Sequence, residues 1–111
     1  VSDGAALSFR EGAVRFSVDL RVYRLAAVQK TAYRLARQCT AVLGAMRDEA
    51  LDVALTFPAG TREDDALGVA RLFFRELLDQ ELREKVGAET ATLRTLLLAA
   101  AFSRTGLAPR R

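Results

Sequence analysis

The strongest constraint in this sequence is a run of strict alternation. Val14, Phe16, Val18 and Leu20 are apolar, and Arg15, Ser17 and Asp19 between them are polar. Successive side chains of a strand point to opposite faces, so this spacing predicts a half-buried strand over 14–20. The pattern returns at Leu51, Val53, Leu55 and Phe57, interleaved with Ala50, Asp52, Ala54 and Thr56. A mostly apolar stretch over 40–46 precedes it, and Asp48 and Glu49 are polar enough to turn the chain between the two. So short a connection predicts an antiparallel hairpin. Pro58 and Gly60 stop its second strand, because proline denies the ladder a donor. Residues 6–12 predict a short leading strand and a turn.

Between the first long strand and the hairpin the period becomes helical. Leu25, Val28, Ala32, Leu35 and Ala36 fall on one stripe, with Arg24, Lys30, Arg34 and Arg37 outside it. No strong Ser, Thr or Asp cap stands at the start of this helix. After Gly60, Thr61 reads as a helix N-cap with Asp64 three residues on. Glu63, Asp64 and Asp65 read as partners of the helix dipole, not as a magnesium site, which needs carboxylates converging in space. The helix so begun is expected to bury Ala66, Val69, Ala70, Phe73, Leu77, Leu78 and Leu82. Gly87 predicts an interruption over 85–89, and Thr90 a fresh cap for a last helix running to about Arg104. The order is therefore β-α-β-β-α-α. It predicts an α+β fold, a sheet of about three strands with helices packed on it, related to a split β-α-β layout. One domain over 1–111 is expected, with flexible ends at 1–12 and 105–111.

Composition narrows the chemistry. Among the 111 residues there is no histidine and one cysteine, Cys39. The imidazole base of Ser-His-Asp and Cys-His mechanisms is therefore missing, as is the usual zinc, copper or iron ligand. Cys39 reads as a small buried hydrophobe, and a solitary thiol fits a reducing cytoplasm. The glycines match neither a P-loop nor a dinucleotide fingerprint. No cofactor and no metal are expected. The longest apolar run, 96–102, is far shorter than the roughly 20 residues of a membrane span. The 17 basic and 14 acidic residues give a net charge of +3 spread along the chain. A weakly basic nucleic-acid-binding domain is thus the alternative, motivated by a pI near 9.6 and by the dominance of arginine over lysine. Tyr23 and Tyr33, beside Arg24 and Arg34, read as packing residues with the ring tip at the surface. A carboxylate enzyme built on Asp19, Asp52 or Asp79 finds no support in the spacing.

The last helix is different in kind. Leu96, Leu97, Leu98 and Phe102, with alanines between, are apolar on every face. Such a helix is either sandwiched in a core or placed at a subunit contact, so a homodimer through it is one expectation.

The segment Leu77-Leu78-Asp79-Gln80-Glu81-Leu82-Arg83-Glu84, followed by Glu89-Thr90, Leu93-Arg94-Thr95-Leu96 and Ala101-Phe102-Ser103, resembles the C-terminal signature of the D-type His-Xaa-Ser system protein family. The family is marked by a Leu-Leu-Asn-Asp-Tyr-Xaa-Leu-Arg-Glu-like segment. Asp79 and Gln80 stand where it has Asn and Asp, and Glu81 where it has Tyr. Val18-Asp19-Leu20, Tyr23, Leu25, Ala27-Val28, Lys30 and Ala32-Tyr33-Arg34 are similar to the family's first strand and helix. The resemblance spans roughly 14–103. It implies a bacterial setting beside two radical S-adenosylmethionine proteins and a protein bearing His-Xaa-Ser repeats, the expected substrate of modification. A non-enzymatic accessory role follows from the resemblance: binding a radical enzyme or the repeat protein. The expected surfaces are an exposed sheet edge or the groove between the last two helices. Asp79, Leu82, Arg83, Glu84 and Arg94 are the side chains expected to meet that partner. Asp79, Arg83 and Glu84 also suit i,i+4 pairing on a solvated helix face.

Overall fold

A computed structural model of the chain describes residues 7–105, with side chains through Phe102. The order is β1 (Phe9–Arg10), β2 (Ala13–Asp19), α1 (Leu25–Arg34), β3 (Thr40–Arg47), β4 (Ala50–Thr56) and α2 (Glu63–Thr105). The described chain divides into two compact units, the first ending at Glu81 and the second starting at Leu82.

The first unit is α+β, and its sheet has four strands where about three were expected. The extra one is β1, which pairs only Phe9 with Val14 and Arg10 with Ala13. Part of the segment expected to be a flexible end is therefore sheet. The remainder of both expected ends, 1–6 and 106–111, lies outside the described residues. Strand order is β1-β2-β4-β3, antiparallel throughout. β4 returns from the hairpin to lie between β2 and β3, so the strands flanking α1 are separated by one. This is the split β-α-β layout that the sequence order suggests.

Both hairpins use two-residue turns with positive φ at both positions. Glu11 (53°) and Gly12 (76°) join β1 to β2, and Asp48 (50°) and Glu49 (67°) join β3 to β4. Such turns match the natural twist of paired strands, and glycine takes the left-handed position at Gly12 without steric penalty. In β3 the register slips by one residue between Leu43 and Met46. Leu43 opposes Val53 and Met46 opposes Leu51, so the bulge at Gly44-Ala45 returns Met46 to the face that Leu43 occupies.

The core lies on one face of this sheet. Val14, Val18, Leu51, Val53 and Leu55 meet Ala27, Val28 and Leu35 of the α1 segment and Ala66, Ala70, Phe73 and Leu77 of α2. The spacing 66, 70, 73, 77 keeps one face of α2 against the sheet. Its alanines permit close approach, and Phe73 fills the centre, 5.5 Å from the Phe16 ring. Burying a phenylalanine of this kind contributes about 1.5–3 kcal/mol. On α1 the buried set is Ala27, Val28 and Thr31. Leu25 and Ala36, expected inside, are exposed. Thr31 takes the space instead because its hydroxyl donates to the Ala27 carbonyl at 2.8 Å, which removes the cost of burying it.

Three expectations about α2 are corrected. Thr61 is not its cap: the Thr61 hydroxyl donates back to the Pro58 carbonyl at 2.7 Å and closes the turn before the helix, which opens at Glu63. Leu78 and Leu82, expected in the core, are each 52% exposed, because they lie off the 66–70–73–77 face. Finally, the last two helices are one helix, and no groove separates them. Glycine inside a helix costs only about 1 kcal/mol relative to alanine, too little to break a helix that gains a hydrogen bond at every further residue. Gly87 carries no positive φ, and the Thr92 and Thr95 hydroxyls donate to the carbonyls of Ala88 and Ala91 within the same helix.

Candidate binding surfaces

In the first unit, the segment singled out by sequence mostly holds helices together. The Glu81 carboxylate accepts the main-chain N–H of Arg24 at 2.8 Å and lies 3.3 Å from the Arg24 guanidinium. Arg24 is the N-cap of α1 and forms no side-chain cap bond of its own. Glu81 therefore does from α2 what the acidic residue of a capping box does within one helix. Further along, the Arg34 guanidinium lies 2.6 Å from the Glu76 carboxylate, which also accepts from the buried Gln80 amide at 2.9 Å. Gln80 and Glu81 thus serve α1–α2 docking, a role that their charge and spacing in the sequence do not reveal. Asp79, between Leu78 and Gln80, is exposed.

The second unit carries the other four expected contact residues. Leu82 and Arg83 are exposed, Glu84 is half-buried, and Arg94 is exposed. Eleven residues make almost a whole number of helical turns, so Arg83 and Arg94 share one side of the helix about three turns apart, while Glu84 points elsewhere. Leu82 belongs to a different side. Leu82, Val86, Leu93, Leu96 and Leu97 form an apolar stripe, each between 52% and 62% exposed.

The sheet offers a second surface. β3 is an outer strand, paired only with β4 among the described residues. Its Val42 and Met46 are about half exposed. The face turned away from the core is polar: the Ser17 hydroxyl donates to the Asp52 carboxylate at 3.1 Å, and Arg47 pairs with the same carboxylate. At the far end of β2, Asp19 accepts from the Arg21 main chain at 2.8 Å and from its guanidinium at 3.0 and 3.1 Å. The Arg21 side chain and N–H together hold the Asp19 carboxyl below its usual value. That is opposite to the upward shift a carboxylic general acid needs. Arg21, Arg24, Arg34 and Arg47 are each paired with a carboxylate.

Cys39 is buried, as expected, with its Sγ 3.8 Å from the Leu35 carbonyl. Burial pushes its thiol up from 9.0, which disfavours the reactive thiolate. Tyr23 packs against the core, but Tyr33 is 83% exposed, contrary to the packing role expected of it. The turn that puts Thr31 inside puts Tyr33 out. No helix among the described residues is long and apolar enough to cross a membrane. No group of three His, Cys, Asp or Glu side chains suited to a metal occurs among them.

No curated protein and no solved structure matches the chain. A family model does, over residues 18–108, and its description is His-Xaa-Ser system protein HxsD. The match takes in both stretches on which the resemblance rests, the first strand and helix and the long C-terminal helix. The chain therefore belongs to the HxsD family of His-Xaa-Ser system proteins.

Proposed function

We propose that this chain is a cytoplasmic, non-enzymatic accessory protein of a bacterial His-Xaa-Ser peptide-maturation system, acting by binding a radical S-adenosylmethionine enzyme or the His-Xaa-Ser repeat protein. The family match over 18–108 carries this reading. The chemistry of the side chains is in keeping with it: there is no histidine, and the lone thiol is buried.

Of the two surfaces that suit a peptide, the groove between two last helices does not exist, which leaves the β3 edge. An extended segment adds to such an edge through main-chain hydrogen bonds, and side chains such as Val42 and Met46 select what it carries. The bulge at Gly44-Ala45 limits the regular part of the edge to residues 40–43. Asp79 in the first unit, and Arg83, Glu84 and Arg94 in the second, are assigned to partner contact on the family resemblance.

Calorimetric titration of the full chain with the repeat protein and with each radical enzyme tests the reading. Saturable binding to at least one is expected, weakened by Arg83→Glu and Arg94→Glu. Absence of heat with all of them at high micromolar concentration sinks it.

A further inference from the structure

We propose that the apolar stripe of the second unit is a self-association surface that pairs with the same stripe of a second copy, the two helices antiparallel. This goes beyond the accessory reading and does not depend on it. Positions 82, 86, 89, 93, 96 and 100 are separated by alternating steps of four and three. That is the 3.5-residue period of a seam that a neighbouring helix covers along its length. Leu82, Val86, Leu93 and Leu96 occupy four of these positions, Ala100 a fifth, and Leu97 flanks them. Among the described residues, five large side chains on this stripe remain 52% to 62% exposed.

The area matches what a dimer requires. Side chains of this size, so exposed, each present on the order of 100 Å² of apolar surface. Five from each copy remove about 1,000 Å² from water, and the flanking Lys85, Thr92 and Ala99 add to it. The sum approaches the ~1,200–2,000 Å² of specific interfaces and exceeds the ~800 Å² of adventitious contacts.

Charge selects the direction of the pair. Glu89 is the one charged residue on the seam. Parallel copies would set Glu89 against Glu89. Antiparallel copies whose stripes overlap along their length set Leu82 opposite Ala100, Val86 opposite Leu96 and Glu89 opposite Leu93, which keeps the two Glu89 carboxylates apart and suits a two-fold pair.

Sedimentation velocity on the full chain, with circular dichroism to verify folding, provides the test. The wild type is expected to dimerise in the micromolar range. Leu93→Glu should raise the dissociation constant at least tenfold. Glu89→Leu, which removes the one charge from the seam, should tighten association. A wild type that stays monomeric at high micromolar concentration overturns the proposal. So does a dimer indifferent to Leu93→Glu, and a Val86→Cys variant that oxidises to a dimer through that cysteine, as only parallel copies allow, overturns the antiparallel pairing.

Discussion

Replacing Gly87 with alanine distinguishes one continuous helix from two helices joined at a glycine. An ideal Cβ at Gly87 meets nothing within 4 Å, and its backbone has no positive φ, so the substitution introduces neither clash nor strain. In a helix interior alanine is favoured over glycine by about 0.8–1.0 kcal/mol. Local opening of the helix around position 87 should therefore become roughly four- to five-fold rarer. Amide hydrogen exchange reads this directly, since residues within a turn of position 87 should exchange more slowly by that factor. Far-ultraviolet circular dichroism should show a small gain in helix. Gly68, also in α2 and also open within 4 Å, provides a matched control in the first unit. A glycine that ended a helix would need the left-handed region, and alanine there would be strained. Faster exchange or lost helicity in Gly87→Ala would thus refute the single-helix architecture.

Glu81→Ala should cost about 0.5–2 kcal/mol in urea denaturation, as the loss of a helix cap does, since the Arg24 side chain is too exposed for its ion pair to weigh heavily. Glu81→Gln, which keeps an acceptor, should recover part of that loss. Phe73→Ala, at the fully buried centre of the aromatic cluster, should cost about 3–5 kcal/mol, and a loss below 1 kcal/mol would contradict the core assignment. Cys39 gives a pH prediction. Its folded thiol holds its proton above 9.0, so the unfolded chain deprotonates first and stability falls as pH rises past that value. Cys39→Ala should flatten this alkaline decline, as followed by denaturation across the alkaline range.

Much of the fold is legible in the sequence because alternation is local information. The strands around Val14–Val18 and Leu51–Leu55 follow from period two alone, and Asp48-Glu49 mark the turn from β3 into the second of them. Strand order is not local: that β4 inserts between β2 and β3 depends on packing that no single segment carries. Gly87 with Thr90 three residues on predicts a break, but about 1 kcal/mol of propensity is less than helix continuation supplies. The site is less legible than the fold. Gln80 and Glu81 look like a solvated polar pair, and only their proximity to Arg24 and Glu76 reveals their docking role.

That this chain works by contact is tested most directly by residue-resolved magnetic resonance during titration with the His-Xaa-Ser repeat protein and with each radical enzyme. Saturable shifts on the amides of β3 with at least one of them, weakened by Val42→Glu while the fold is retained, are the predicted result. Undisturbed β3 amides at high concentrations of all of them, or unaided turnover of the repeat protein by the purified chain, would contradict it.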